Sequence, residues 1–290
     1  MAGNAGNAGN AGNAGNAGNA GNAGNSTSAS GGWFFADRID LPFVTEFSGG
    51  QFIAKQRANP SEFPDRNWSA DWFAWRLLIE FIEYTKGLPT SDPGPWTGMP
   101  GFTTQDAEID DLVTAAQDER ADALGEILGE ADEFVSYFLN LMTATPTAYP
   151  HTNRVLQSAN LIALYVAMYW KYYYKRPRPS QLCPALLPPI AVPGHASYPS
   201  GHSTQAHLMA LCMGEILGAP SANTDPLRGD LVALADRVAR NREIAGLHYP
   251  SDTKAGVAIA CDIFKLLKAM DPKSQFQCAI KAAQAEWNWL

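Results

Sequence analysis

The chain has 290 residues, 46% of them hydrophobic and 17% charged, enough for a substantial core in one large domain or two small ones. Its net charge is −8 and its Lys and Arg residues are not massed in blocks, which argues against a nucleic-acid surface, since phosphate backbones demand clustered cations. The best apolar run, Leu161–Trp170, is ten residues long before Lys171 interrupts it, well short of the about 20 that a membrane span needs.

The chain opens with Ala-Gly-Asn repeated eight times, from Ala2 to Asn25, followed by Ser-Thr-Ser-Ala-Ser-Gly-Gly. Glycine at every third position makes ordering entropically costly, and nothing here can build a core. Residues 1–31 are therefore read as a disordered tail or an artificial addition, and residues 32–290 as the folded domain. No basic start followed by an apolar stretch marks a signal peptide. The expectation is a cytoplasmic protein as written, or a periplasmic or secreted one if a leader was replaced.

From Trp33 on, apolar residues recur at helical spacing. Asp65–Gly87 has an Asn or Ser cap and ends at a glycine. Leu88–Phe102 is rich in Pro and Gly and reads as a loop. Acidic helices are predicted over Ala107–Gln117 and Asp122–Met142. Asn153–Arg176 reads as a long, mostly buried helix ended by Pro177 and Pro179. A proline-rich loop runs to Tyr198. Helices follow over His202–Leu217, Leu227–Ala245, Asp252–Met270 and Lys273–Trp287. Alternating strand patterns are nearly absent, so the expectation is one all-α helical-bundle domain. Cys183, Cys212, Cys261 and Cys278 contain no C-x-x-C pair, which removes zinc and thioredoxin-type readings; the even count permits disulfides but the spacing does not demand them, and reduced or packed thiols are the expectation.

Three stretches carry chemistry. In the first, Pro199-Ser200-Gly201-His202, Ser200 is a candidate N-cap and the free N–H groups of the next turn form a ready anion site. Gly201 lets an anion approach the backbone, and His202 is placed to move a proton. In the second, Lys171 and Arg178 are seven residues apart and project toward one side. Lys175 and Arg176 read as surface charges, and Tyr172–Tyr174 as packing. In the third, Arg242, His248 and Asp252 follow a basic helix and open the next one. An aspartate beside a histidine fixes its tautomer, leaving the other ring nitrogen as a nucleophile. Taken one at a time, each stretch is also what a capped helix, a solvated helix end or a charged corner looks like.

Together and in this order, the three stretches resemble the signature of the type 2 phosphatidic acid phosphatase and vanadium haloperoxidase superfamily. That signature is Lys-x6-Arg-Pro, then Pro-Ser-Gly-His, then Ser-Arg-x5-His-x3-Asp. The chain supplies Lys171, Arg178 and Pro179; Pro199, Ser200, Gly201 and His202; and Arg242, His248 and Asp252. Asn241 stands where the family has serine. The resemblance covers about residues 155–265 and leaves the N-terminal half as added helices.

The resemblance implies a soluble, acid-phosphatase-like hydrolase acting on small phosphorylated substrates. Lys171, Arg178 and Arg242 would neutralise the oxyanion, with hydrogen bonds from Ser200 and the Gly201 N–H. His248 would attack phosphorus, His202 would protonate the leaving oxygen and then activate water, and Asp252 would hold His248. No metal or other cofactor is expected, and the partners are a phosphorylated small molecule or an inorganic oxyanion, with no nucleic acid. The alternative within the superfamily is a haloperoxidase of bromide type, with vanadate on His248. About 39 residues separate His202 from Arg242, which resembles the compact acid phosphatases. His195 matches a position where bromide-type haloperoxidases carry histidine, or is an ordinary loop residue. Outside the superfamily, three readings stay open: Ser200 as a serine-hydrolase nucleophile, a metal on His202 and His207, and a non-catalytic anion-binding module. Pro-Ser-Gly-His is not a nucleophile elbow, and His202 and His207 are five apart rather than four. His207 and His151 read as structural or surface residues. Leaving-group recognition falls to Leu88–Phe102 and Gln181–Tyr198.

Overall fold

A computed structural model describes residues 45–48, 51–54, 63–86, 105–218 and 226–288; the Ala-Gly-Asn segment and the loop 88–102 lie outside the described residues. In chain order the α-helices are α1 (Ala70–Lys86), α2 (Gln105–Asp118), α3 (Arg120–Asp132), α4 (Val135–Leu141), α5 (Pro150–Tyr174), α6 (Pro179–Leu182), α7 (Gly201–Ile216), α8 (Pro226–Ile244), α9 (Pro250–Ala269) and α10 (Gln275–Glu286). The fold is all-α, as the spacing of apolar residues predicts. One antiparallel hairpin, β1 (Thr45–Ser48) with β2 (Gln51–Ala54), adds a small strand pair that the sequence reading did not anticipate; Thr45 lies opposite Ala54.

Helix α7 is the centre. It is buried on nearly every side, from Ser203 to Ala210 and again at Cys212, Met213, Gly214 and Ile216. A helix apolar all round has to be enclosed, and α5, α8 and α9 pack around it. Helix α5 in turn packs on α1 and α10. Fully buried Phe81, Phe138 and Trp170 belong to this main core; truncating one such aromatic to alanine costs about 3–5 kcal/mol. Helices α2 and α3 sit against α8 and enclose a separate small core of Ala115, Ile127, Ile244, Ala245 and Leu247.

Helix ends explain where polar groups are delivered. Pro150 starts α5, and Glu286 accepts from the backbone N–H groups of His151 and Thr152, both at 2.8 Å. Lys175 takes a left-handed conformation at φ 50°, ending α5 before Pro177 and Pro179. The loop after it holds α6 and a 3-10 turn, Pro184–Leu186. Gly246, at φ +73°, ends α8 in a conformation that favours glycine and turns the chain toward His248. Gly256 allows α9 to press onto the start of α7, for an added Cβ would lie 2.7 Å from Ser203 and 3.0 Å from the Ser200 carbonyl.

The predicted helix Asp122–Met142 is two helices, broken at Glu133–Phe134. Glu133 turns extended, and its carboxylate accepts from the Ser136 N–H at 2.8 Å and from the Ser136 hydroxyl at 2.5 Å, so it caps α4. The break buries Phe134 beside His202. All four cysteines are free thiols.

Candidate active site

The start of α7 supplies the anion end of the site. Ser200 is the N-cap, its hydroxyl oxygen accepting from the Ser203 N–H at 3.3 Å. Its own N–H donates to the Asp252 carbonyl at 3.0 Å, which ties the start of α7 to the start of α9. Gly201, His202 and Gln205 face one pocket together with Lys171, His195, Arg242 and His248. Ala131, Phe134, Leu164, Pro193 and Leu247 form its apolar wall.

The three predicted cations are buried: Lys171 and Arg178 are 2% exposed and Arg242 is 1% exposed. Lys171 Nζ donates to the carbonyls of Ala196 and Ser197 at 2.9 and 2.7 Å. Burial, and then the neighbouring Arg178, push its pKa well below the usual lysine range, against the pull of Asp252. Arg178 donates from Nε to the His195 carbonyl and from Nη1 to the Leu247 carbonyl, and burial lowers its pKa to about 10. Arg242 pairs through Nη2 with Glu130 at 2.7 Å, while its Nε and Nη1 are buried without a hydrogen-bond partner. Two guanidinium donors left open in a buried site are costly unless an acceptor arrives. The buried carboxylates Glu108, Glu130 and Asp252 lie among Lys171, Arg176, Arg178 and Arg242, while a fourth, Glu243, pairs with Arg240 at 2.8 Å.

His248 is buried at the end of the turn after α8. Its Nδ1 lies 3.0 Å from Asp252 Oδ2, and its Nε2 lies 3.0 Å from Arg178 Nη1. The arginine can only donate and the carboxylate can only accept. The ring therefore carries its proton on Nδ1 and a lone pair on Nε2. Burial first, then Arg178, Lys171, His202 and His195, hold its pKa well below the usual histidine range.

His202 stacks on Phe134 with ring centroids 4.8 Å apart, and its Nε2 donates to the Glu130 carbonyl at 3.1 Å. Burial, Arg242 and the other cations lower its pKa to about 3, against that hydrogen bond. The ring is neutral in the open site, and an anion in the pocket would draw a proton onto it. His195 Nδ1 accepts from Arg178 Nη2 at 3.0 Å, and burial with Lys171 and Arg178 lowers its pKa to about 4. His195 thus faces the pocket and touches Arg178. His207 is a structural residue of α7: Nδ1 meets the Ser203 carbonyl at 2.8 Å and Nε2 meets Asp236 at 3.1 Å. Among the described residues no group of three or more His, Cys, Asp or Glu side chains is arranged to hold a metal ion.

Several participants escaped the sequence reading. Arg176 is not a surface charge. It is 1% exposed and pairs with both Asp252 and Glu108 at 2.7 Å. Its place next to exposed Lys175, at the turn that ends α5, sends the two side chains opposite ways. Tyr172 and Tyr173 are exposed rather than packed, while Tyr174 meets Tyr198 edge-on at 4.9 Å. Glu130, on α3, gives its carboxylate to Arg242 and its carbonyl to His202. Burial raises its pKa, countered by Arg242 and Asn241. Asn241, the departure from the serine of the signature, donates from Nδ2 to Glu130 at 2.8 Å and Glu126 at 3.0 Å, so it holds the partner of Arg242. The one sequence signal for Glu130 is an acidic residue on the inner face of an otherwise exposed acidic helix, and spacing alone does not single it out.

Residues 155–276 match the family model described as the PAP2 superfamily. Over that segment the chain resembles the PAP2 superfamily. The matched segment holds every one of the three motif stretches and ends at the second residue of α10. Curated relatives are the decaprenylphosphoryl-5-phosphoribose phosphatases of two strains of Mycobacterium tuberculosis. Each is 32% identical over 102 residues, 35% of this chain and 51% of the relative. The chain spans about half the length of these relatives. No helix among the described residues is long and apolar enough to cross a membrane. The PAP2 match and the phosphatase relatives support phosphoester hydrolysis as the general class of chemistry.

Proposed function

We propose that this protein is a PAP2-type phosphomonoester hydrolase that works without a metal, through a phosphohistidine on His248. The observation that carries the reading is the open pair of donors on buried Arg242, beside Lys171 and the start of α7. A phosphoryl group has several charged oxygens and needs donors from several directions. Arg242 Nε and Nη1, Lys171, Arg178 and the Gly201 N–H would share them. Arg178 now donates to His248 Nε2, so an arriving anion competes for that guanidinium and frees the lone pair for in-line attack. In the first step the Nε2–P bond forms as the bond from phosphorus to the leaving oxygen breaks. His202, protonated once the anion is bound, gives that oxygen its proton, while the Glu130 carbonyl keeps the ring oriented. Water, deprotonated by His202, then attacks the phosphohistidine and returns His248. The relatives' name points to a phosphate on a lipid-linked sugar; the pocket's apolar wall suits a leaving group with an apolar portion, and we read the substrate as a small phosphomonoester.

The second reading is a vanadium haloperoxidase, favoured by His195 on the pocket wall. The open donors of Arg242 and the Nε2 lone pair of His248 fit vanadate as they fit phosphate. Lys171, Arg178, Arg242 and Gly201 would hold its oxygens and His248 its metal, and bound vanadate would supply peroxide activation. Two assays run side by side separate the readings: p-nitrophenyl phosphate hydrolysis in EDTA, and dye bromination with peroxide, each titrated with vanadate. Hydrolysis that survives EDTA and is inhibited competitively by vanadate supports the phosphatase, since vanadate copies five-coordinate phosphorus. Hydrolysis lost in EDTA and restored by a divalent metal overturns the metal-free mechanism, and vanadate-dependent bromination establishes the second reading.

A further inference from the structure

Arg176 lies behind the pocket, against the groups that orient His248. A guanidinium buried this deeply costs several kcal/mol unless both faces and edges are satisfied. Here Nη1 donates to Asp252 Oδ1 and to Ser251 Oγ, each at 2.7 Å, and Nη2 donates to Glu108 Oε2 at 2.7 Å. The Tyr249 ring lies 3.7 Å below the guanidinium carbon. Glu108, on α2, also accepts from the Ser251 N–H at 2.7 Å and the Ser251 hydroxyl at 2.9 Å, which fixes the first turn of α9. Asp252 is fully buried, and its oxygens divide the work. Oδ1 takes Arg176; Oδ2 takes His248 Nδ1, the Ser197 hydroxyl and the Tyr249 N–H. Anchoring Oδ1 sets the plane of the carboxylate and so presents Oδ2 to the imidazole. Of the other charged or titratable groups near the ring, Lys171, His195 and His202 line the pocket, and Arg178 sits against His248 Nε2 at 3.0 Å.

We propose that Arg176 is a positioning residue for His248, itself held by Glu108, so that helix α2 takes part in catalysis through the chain Glu108–Arg176–Asp252–His248. The proposal rests on His248 as nucleophile. Without Arg176 the Asp252 carboxylate can turn, and its remaining donors share both oxygens. The Nδ1 proton of His248 is then no longer held, and the tautomer with the proton on Nε2, which has no lone pair toward phosphorus, becomes populated.

The test compares the parent with Arg176→Gln, Arg176→Lys and Glu108→Gln. Its readouts are kcat and KM for p-nitrophenyl phosphate, normalised to phosphoenzyme, and the downfield Nδ1 proton resonance of His248 in the free protein. Arg176→Gln is expected to lower kcat by about 10–100-fold with KM within about 3-fold, the size of effect that partners of an active imidazole carry. It should lose the resonance, and Arg176→Lys should recover most of both. Glu108→Gln, which keeps the guanidinium, is expected to lower kcat by about 3–10-fold at unchanged KM, and it carries the test if Arg176→Gln fails to fold. Parent-like kcat and resonance in Arg176→Gln, or in Glu108→Gln where the former does not fold, overturn the proposal; so does a lysine variant no better than glutamine. If the parent forms no phosphohistidine, the nucleophile reading falls. The resonance then decides the positioning claim alone, its retention in Arg176→Gln, or in Glu108→Gln should the former not fold, overturning it and its loss supporting it.

Discussion

The two halves of the molecule meet through several ion pairs and hydrogen bonds and differ in kind. The segment from α5 to the start of α9 carries every group proposed to touch the substrate, whereas α2 and α3 send in two carboxylates, Glu108 and Glu130, that brace that segment through Arg176, Ser251, Asn241 and Arg242. The first half of the site is written in short spacings: Lys171 to Arg178, Ser200 to His202, Arg242 to Asp252. The second is written in contacts spanning more than 60 residues, such as Glu130 with Arg242 and Glu108 with Arg176. A cationic pocket has to be bordered by carboxylates to exist before its anion arrives, and that support came from outside the recognisable segment.

The sharpest way to break the distinction is to remove one group from each half. His248→Ala should abolish turnover, by about 10⁵-fold or more, with no phosphoenzyme. Steady-state rates with an alkaline quench check this; residual phosphohistidine in the variant would put the nucleophile elsewhere. His202→Ala should slow hydrolysis by about 10²–10⁴-fold for a poor leaving group and by much less for p-nitrophenol, which leaves without help. A rate series over leaving-group pKa reads this, and a slope equal to that of the parent assigns the proton transfer to another group.

Glu130→Ala tests the supporting half. It strands buried Arg242 with one acceptor fewer, so thermal unfolding should show a loss of about 3–5 kcal/mol. Inorganic phosphate should recover part of that, because the anion now satisfies the guanidinium. Stability unchanged in the variant would mean that α3 does not hold Arg242 in solution.

A smaller effect sharpens the electrostatics of the pocket. His202 and His195 have folded pKa values of about 3 and 4, below the usual histidine value, and His248 is lowered as well. The unfolded chain therefore binds more protons than the folded one below about pH 6.5, and stability falls as pH drops from there toward 4. Bound phosphate should flatten this dependence and take up protons on binding, so its affinity rises as pH falls from 7 toward 5. Calorimetry in two buffers of different ionisation enthalpy measures the uptake; none would show that the anion binds away from these rings. At the other extreme, Lys175→Ala, on the exposed side of the same turn as Arg176, should leave kcat and KM within about 2-fold.

How much of this was legible follows from where each signal lies. The helices follow apolar spacing closely, since a buried face must repeat every three to four residues. The break at Glu133–Phe134 was missed because its cause is a side-chain cap that periodicity does not register. Lys175 and Arg176 read alike as a charged pair, and only the left-handed turn at Lys175 parts them. His248 and Asp252 sit four apart at a helix start, so their hydrogen bond was readable from spacing. Glu108 and Glu130 were two acidic residues among many on acidic helices, distinguished only by what folding brings opposite them.

The central claim is that His248 carries the phosphoryl group in a pocket of buried cations. It is tested most directly by mixing the protein with a radiolabelled phosphomonoester in EDTA, quenching in alkali and mapping the label. The account predicts an alkali-stable, acid-labile label on the peptide containing His248, absent from His248→Ala and still formed in His202→Ala with an activated leaving group. Label on Ser200, or turnover with no covalent label at any quench time, would contradict it.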